Sequence, residues 1–586
     1  MKNVRLFLCF FEATSEGFHT SAIPKFSAEE TGLKNKDFPK CFRENRNSIR
    51  AIVNMCTRRW VMSQLYVELF PTSAEKSTEN HLFYSLLAIG TWIANTGRKP
   101  AVEKQPVTTR TNKTEHLRMK NKTIAPDPLM SSAENSAVNE NSNPREKAKN
   151  LKGVLVRASS LVLLMSAAYL VYALQGDFSR YQLEGLDTTW GMIFLIISGA
   201  LLLFRAGFFF YNLYLYFRYK PVSSVSNEEL PTCTVIVPAY NEGKQVWATL
   251  MSLAKSDYPA HKLQLLAIDD GSKDDTWNWM LKAKEDLGDR VSIYQQPVNK
   301  GKRHALYRGF NIGTGEVFVT VDSDSEVTED TLRNLVSPFV VNEKCGAVAG
   351  NIRVLNNGQK ALLPKMLDVS FVLSFEFVRS AESSLESVLC TPGALAAYRR
   401  KAVFGCLEEW INQTFMGQPS DIGEDRAMTN MILKQGYHVL FQRNAFAYTN
   451  VPEKYTGLYK MFIRWGRSNV RENLAMAKYV FTDFREGSKA GSRLLFLNQV
   501  IKLIMSYPSI LLMLFFILMD PVLFISSTLL SILIWSSFPV LFYAKRYKLS
   551  ESFWAYSYSI LYTFGLFWIT PYAIATASKR GWLTRG

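Results

Sequence analysis

The apolar residues of this chain are gathered into a few long blocks, and a stretch of short apolar runs split by polar clusters lies between them. Residues 154–174 form a nearly uninterrupted apolar run, long enough to cross a bilayer. A polar segment, 175–189, separates it from a second block at 190–217, which Arg205 interrupts. An arginine at that depth faces protein or a watery path, or snorkels to an interface. Beyond residue 483 the apolar blocks return at 494–519, 522–543 and 553–575, giving three further candidate spans. Pro508 lies inside the first of these and predicts a break into an interfacial helix and a shorter span.

The residues between the blocks, 221–483, follow a different rhythm. Strand-like runs at 234–238, 263–268, 291–295 and 317–321 alternate with helix-like segments, among them 246–256 and 426–435. That alternation predicts βαβ units and a mostly parallel sheet. Polar clusters recur just after the strands, on the edge where open α/β sheets take their ligands. The clearest case is Val317-Phe-Val-Thr-Val-Asp322-Ser-Asp324, which begins as a buried strand reads and ends in two carboxylates one residue apart.

Composition and charge then assign sides and exclude some functions. The 586 residues are 47% hydrophobic and carry a formal net charge of +17. No zinc-finger spacing, homeodomain-like helix or RNA-binding aromatic motif accompanies the basic excess, so nucleic acid is not an expected partner. Arg145, Lys147, Lys149, Lys152 and Arg157 flank the first candidate span, Arg218 and Lys220 follow the second, and the loop between is mildly acidic. The positive-inside rule makes both flanks, and the domain that follows, cytoplasmic. This predicts a multi-pass protein of the cell (inner) membrane, in contact with the lipid bilayer. Three C-terminal spans would put the basic tail, Lys579 to Arg585, outside and against that rule, so their parity stays open. The seven cysteines show no C-x-x-C pair and predict neither a zinc site nor a disulfide framework. Residues 1–150 carry no readable chemistry, and 112–150, rich in Asn, Ser, Thr, Lys and Glu, reads as a disordered linker.

The polar clusters hold the candidate chemistry. Asp322 and Asp324 offer hard oxygen ligands suited to Mg²⁺ or Mn²⁺ bridging a diphosphate, although an isolated Asp-x-Asp reads equally well as a solvated turn. Asp269 and Asp270 end the second strand on the same edge, where carboxylates can hold a uracil base or a ribose. Tyr240 and Glu242, after the first strand, are placed to stack on and hydrogen-bond a nucleotide. Lys300, Lys302 and Arg303 lie one loop away and would stabilise charge on a diphosphate leaving group. Asp425, in Gly423-Glu424-Asp425-Arg426, opens a helix and reads either as a cap or as a general base for an acceptor hydroxyl. Arg464-Trp465, followed by Arg467 and Arg471, joins a guanidinium for phosphate oxygens to an indole for a sugar face. The same stretch also reads as an amphipathic interfacial helix.

The order Asp269-Asp270-Gly271-Ser272, Asp322-Ser-Asp324, Gly423-Glu-Asp425 and Arg464-Trp465 resembles the processive family 2 glycosyltransferases. The likeness is greatest to hyaluronan synthases and the nodulation N-acetylglucosaminyltransferases, with chitin synthases further off. Asn299-Lys-Gly-Lys-Arg-His-Ala-Leu306, Thr391-Pro-Gly-Ala-Leu-Ala-Ala-Tyr-Arg399 and Asn412-Gln-Thr-Phe-Met-Gly417 strengthen it, and it runs from residue 154 to the C-terminus. The resemblance implies a GT-A fold, an α/β Rossmann-like domain with a mostly parallel sheet, between α-helical transmembrane segments. It divides the chain into a poorly ordered extension of unknown role (1–150), two transmembrane helices (151–220), the transferase domain ending in interfacial helices (221–483), and about three further transmembrane or interfacial helices with a basic tail (484–586).

The resemblance further implies a UDP-sugar donor, UDP-GlcNAc alone or with UDP-GlcA, a growing β-linked polysaccharide, and Mg²⁺ or Mn²⁺. It assigns Asp324, helped by Asp322, to the metal and diphosphate, and Asp425 to the catalytic base. Tyr240, Glu242 and Asp269 or Asp270 would meet the uridine, and Lys300, Lys302 and Arg303 the phosphates. Pro392, Gly393, Arg464 and Trp465 would lie along the acceptor and diphosphate. One position departs from the family pattern Gln-x-x-Arg-Trp: this chain has Met461-Phe-Ile-Arg464-Trp465, and Met cannot supply the amide's hydrogen bonds. That departure touches acceptor register or chain length, and it leaves open a non-processive transferase acting on a lipid-linked acceptor.

Overall fold

A computed structural model describes residues 154–580, apart from 155–157, 160, 163, 167, 171, 359–360 and 548. The N-terminal extension and its predicted linker, 1–150, lie outside the described residues, as does part of the first candidate span. Everything below belongs to one compact unit, Asn135–Gly586.

Its centre is an eight-stranded sheet in the order β3-β2-β1-β4-β7-β6-β10-β5. The first four strands in chain order are β1 (Cys233–Ala239), β2 (Leu263–Asp269), β3 (Val291–Gln295) and β4 (Val317–Thr320). They are parallel neighbours. The helices Lys244–Ala254, Thr276–Leu287 and Lys302–Ile312 connect them. All seven residues of β1 are buried. Alternate side chains explain this: Val235 and Val237 pack with Val246, Leu250 and Met280, while Ile236 packs with Ala305, Leu306 and Phe310 across the other face.

The remaining strands are β5 (Ser325–Val327), β6 (Cys345–Val354), β7 (Ala396–Arg399) and β10 (His438–Thr449), with a separate two-stranded ladder of β8 (Thr414–Phe415) and β9 (Gln418–Pro419). β7 is antiparallel to both β4 and β6, and β10 is parallel to β6. Ala239 pairs with Asp269, and Asp269 with Gln295, so the loops after β1, β2 and β3 leave from one edge, with the loop after β4 beside them.

Among the described residues, Thr189–Arg218 and Pro521–Arg546 are long and apolar enough to cross a membrane. A third is reached if the pair Ala490–Ile504 and Ser506–Met519, bent by 40°, counts as one span. The break predicted at Pro508 falls at Met505 instead. Pro508 occupies the first turn of the following helix, where its missing N–H costs nothing. Residues 553–575 are not one helix: Trp554–Ile560 and Ile569–Ala575 flank a π-helical turn, Leu561–Gly565, and each piece is too short to span.

A helix that begins at Leu362–Phe371 runs through a π-helical segment, Val372–Val378, into Arg379–Ser384, and fastens the sheet domain to the apolar helices. Phe377 lies 6.3 Å from Phe209 and 5.0 Å from Phe538, ring centre to ring centre, so it joins both long apolar helices. Buried Arg353 pairs with buried Asp368 at 3.2 Å, and Tyr543 of Pro521–Arg546 donates to the same carboxylate at 2.6 Å.

Candidate active site

Two loops on the β1 and β2 edge are locked to each other. Asn241 has a left-handed backbone, its amide donates to Ser272 Oγ at 3.0 Å, and its side chain accepts from the Lys273 amide at 2.9 Å. The amides of Glu242 and Gly243 donate to Thr276 Oγ1 at 2.8 and 2.9 Å. Tyr240 and Glu242 therefore stand half-buried on a rigid rim beside the end of β2.

Asp269 is fully buried and Asp270 is 2% exposed, and both carboxylates are engaged. Asp269 accepts from the Ser272 amide at 3.1 Å and from Gln295 Nε2 at 3.0 Å. Asp270 accepts from Gln296 Nε2 at 3.0 Å and from the amides of Lys300 and Gly301 at 3.0 and 2.7 Å. Burial holds the Asp270 carboxyl above its ordinary value, against a smaller opposing pull from the two loop amides. Gly271 takes φ +71°, and a Cβ there would sit 2.8 Å from the Asn299 amide nitrogen. These aspartates tie together the loops after β1, β2 and β3, and both carboxylates accept hydrogen bonds from protein donors.

Arg303 corrects its expected place. Its guanidinium is 4% exposed, donates to the Trp410 carbonyl at 2.6 Å and to Gln413 Oε1 at 3.1 Å, and lies 5.0 Å from the Trp410 ring centre. It starts the helix Lys302–Ile312 and turns into the core, while Lys300 stays exposed and Lys302 turns to the site. A buried arginine whose terminal nitrogens are held by Trp410 and Gln413 is placed as a strut rather than on an open rim, although its Nε finds no protein acceptor.

The acidic and basic residues converge beside β4. Lys302 Nζ pairs with Asp322 Oδ1 and, at 3.2 Å, with Glu424 Oε1. Gly393 makes room for that ammonium: a Cβ on Gly393 would lie 2.5 Å from Lys302 Nζ and 3.7 Å from Asp322 Oδ1. The Gly393 amide donates to Asp425 Oδ2 at 3.1 Å, and Pro392 beside it is buried. Asp425 Oδ1 accepts from the Arg426 amide at 2.7 Å, as a residue in the first turn of Glu424–Lys434 does. Gly423 enters that helix at φ +79°, where a Cβ would collide with Ser468 of the helix Tyr455–Ala477 at 1.9 Å. Glycine thus lets the two helices approach, and that approach brings the electrostatic influence of Arg464 onto Glu424.

The two carboxylates of Glu424-Asp425 are driven apart. Burial raises Glu424, but Lys302, Arg464 and Arg303 outweigh it and hold the carboxyl below its ordinary value. Burial and then the Glu424 charge push Asp425 upward, against a smaller opposing pull from Lys302. A carboxylate lifted in this way is a stronger base toward an acceptor hydroxyl than an ordinary aspartate. Glu424 had no role assigned from sequence, although it stands in the same motif; its distance from Lys302 along the chain hid the pairing.

Asp324 lies at the start of β5 with Oδ1 3.3 Å from Thr449 Oγ1 and 3.4 Å from Ser325 Oγ. Among the described residues no group of three or more His, Cys, Asp or Glu forms a metal cage. Two carboxylates at one strand end, completed by diphosphate oxygens, do match the all-oxygen donor set that Mg²⁺ or Mn²⁺ takes with nucleotides. Trp465 is 40% exposed, with Phe462 edge-on at 5.5 Å and Phe371 tilted against it at 6.3 Å. Met461 is buried in the main apolar core together with Leu458, Ile463 and Ile569.

Residues 231–468 match the family described as "Glycosyltransferase like family 2". The chain is similar to an N-acetylglucosaminyltransferase of Rhizobium meliloti, 34% identical over 249 residues, which cover 42% of this chain and 58% of that protein. It is similar also to a hyaluronan synthase of Streptococcus pyogenes, 30% identical over 272 residues, covering 46% of this chain and 63% of that one. The matches thus span about three fifths of the length of these relatives. A solved mannosyltransferase, PcManGT from Pyrobaculum calidifontis in complex with GDP-Man and Mn²⁺, aligns with a TM-score of 0.41 at 21% identity over 64% of this chain and 96% of that one. The resemblance read from the ordered motifs is borne out, and the sheet is a GT-A-like glycosyltransferase fold.

Proposed function

We propose, from the premise that the chain carries a family 2 glycosyltransferase domain, that it is a membrane-embedded, inverting polysaccharide synthase. It uses UDP-sugars, UDP-GlcNAc alone or with UDP-GlcA, to extend a β-linked polymer and passes that polymer through its own spans. The domain of 221–483 works on the cytoplasmic side of the cell (inner) membrane. One observation carries the reading: Asp322, Lys302, Gly393, Glu424 and Asp425, far apart in sequence, meet in a single cluster at the sheet edge.

Each residue then has a task. Asp425, oriented by the Gly393 amide, takes the proton from the acceptor hydroxyl as that oxygen attacks the anomeric carbon. Attack from the face opposite the leaving UDP inverts the anomeric centre. Lys302 faces the departing diphosphate while Glu424 holds the ammonium in place. Asp322 and Asp324 would hold Mg²⁺ or Mn²⁺, which when bound neutralises charge on the diphosphate. Tyr240 and Glu242 frame the uridine from the rim, and Trp465 offers its exposed indole to the acceptor sugar.

Membranes carrying the chain and given labelled UDP-GlcNAc, with and without UDP-GlcA and Mn²⁺, test the proposal. A high-mass product that hyaluronidase or chitinase degrades is expected. A labelled lipid carrying a single added sugar would replace polymerisation with transfer to a lipid-linked acceptor. Absence of incorporation from any donor would sink the reading.

A further inference from the structure

The motif Asn412-Gln413-Thr-Phe-Met-Gly417 and the pair Arg471-Glu472 take no part in the chemistry assigned above. The fold brings them together in its interior. Glu472 is 4% exposed, and both of its carboxylate oxygens accept from amides. Gln413 Nε2 donates to Oε1 at 2.8 Å, and Asn430 Nδ2 donates to Oε2 at 2.9 Å. Gln413 Oε1 in turn accepts from both terminal nitrogens of Arg303, each at 3.1 Å. Arginine has only donors, so Gln413 has to turn its oxygen to Arg303 and its amino group to position 472. The side chain at 472 must then accept.

Through these bonds one buried carboxylate joins three helices, each of which bears a different part of the site. Arg303 stands beside Lys302 at the start of Lys302–Ile312. Asn430 lies on Glu424–Lys434, the helix of Glu424 and Asp425. Glu472 lies on Tyr455–Ala477 with Arg464 and Trp465. Gln413 also closes the β8–β9 hairpin, its carbonyl accepting from the Ser420 amide at 2.9 Å. Arg471 holds the exit of that hairpin, donating to Ser420 Oγ at 3.1 Å and to the Ile422 carbonyl at 3.4 Å. The segment that leads into Gly423-Glu424-Asp425 is therefore held at both ends by adjacent residues of one helix.

We propose that Glu472 and Gln413 are positioning residues for the transfer, which set Lys302, Asp425 and the helix of Trp465 at their working separations. A buried carboxylate adds little net stability, because desolvation offsets its attractions; what this one supplies is a fixed geometry. The inference rests on the proposed function, with Asp425 as the base and Lys302 toward the diphosphate.

The test uses the full chain in membranes with labelled UDP-GlcNAc, UDP-GlcA and Mn²⁺, and reads initial rates over a range of donor concentrations. Wild type is compared with Gln413→Met, with Gln413→Glu, and with Gln413→Glu combined with Glu472→Gln. Gln413→Met removes the amide without adding charge, whereas Gln413→Glu sets two carboxylates against each other. The combined exchange lets position 413 accept from Arg303 and position 472 accept from Asn430 while donating back to 413, so every contact is remade.

A displacement of about 1 Å in such a set costs up to roughly 10²-fold in rate, so kcat per folded molecule should fall about tenfold in Gln413→Met and further in Gln413→Glu. The donor KM stays within about twofold, because the uridine rim is not tied to this network. The combined exchange should return kcat to within about threefold of wild type, as coupled residues do. Variants that lose only abundance or thermal stability, with kcat unchanged, would overturn the inference, and Gln413→Met decides this even where Gln413→Glu does not fold. A combined exchange that folds normally yet stays slow would overturn it too. Absence of incorporation by the wild-type chain from any donor would remove the synthase function itself, and the inference with it.

Discussion

Asp425 sits where burial and the neighbouring Glu424 charge both favour its protonated form. As pH falls through that raised value the base gains its proton and transfer is lost, so the acid limb of the rate profile lies above the usual carboxylate range. The stability sign is the opposite. The native state holds this proton more tightly than the unfolded chain, so the stabilisation is present at low pH and is lost as pH rises through the folded value. Asp425→Asn should therefore abolish transfer, by about 10²–10⁴-fold, while keeping UDP binding and raising thermal stability at neutral pH. Retained turnover would remove the base assignment. Arg303 is a different case at the same scale. Arg303→Leu strands the Trp410 carbonyl and Gln413, and should cost about 1–3 kcal/mol in unfolding free energy with little change in UDP affinity of the folded protein. A variant of normal stability that has lost UDP affinity would return Arg303 to the phosphates.

At the scale of elements, the contacts between the sheet domain and the apolar helices are as informative as the strands. The Arg353–Asp368 pair, capped by Tyr543, is buried on both sides. Asp368→Ala leaves a buried guanidinium uncompensated, and a loss of about 3–5 kcal/mol is expected by chemical unfolding in detergent. The helix Tyr455–Ala477 holds the departure from the family pattern. Met461 is 6% exposed in the apolar core, so Met461→Gln buries an amide among hydrocarbons and should destabilise by about 1–3 kcal/mol without lengthening the product. A longer product would show that acceptor register runs through this position. The first four strands were legible in advance because short continuous apolar runs, ending in polar clusters, leave little choice in an α/β domain, whereas the six later strands were not read. The block at 553–575 was misread because composition reports apolarity, whereas the π-helical turn at Leu561–Gly565 divides it.

For the whole molecule, the two long apolar helices and the bent pair predict that the chain stays with the membrane after alkaline carbonate washing. Release into the supernatant would contradict an integral membrane protein. Among the described residues, the apolar stretch of Thr189–Arg218 that is long enough to cross a membrane holds no fully buried side chain, as a surface meant for lipid requires.

The order of the strands in the sheet was set by tertiary pairing. The first four strands, their acidic ends and the candidate base could be read from the chain because each depends on local pattern and on residues adjacent in sequence. The partners of those residues could not. Lys302 between Asp322 and Glu424, Arg303 turned into the core, and Asp270 closed onto the amides of Lys300 and Gly301 all depend on groups brought close by packing of distant elements. Coulomb and hydrogen-bond energies fall steeply with distance, so what each charge does is decided only once the fold has set those distances.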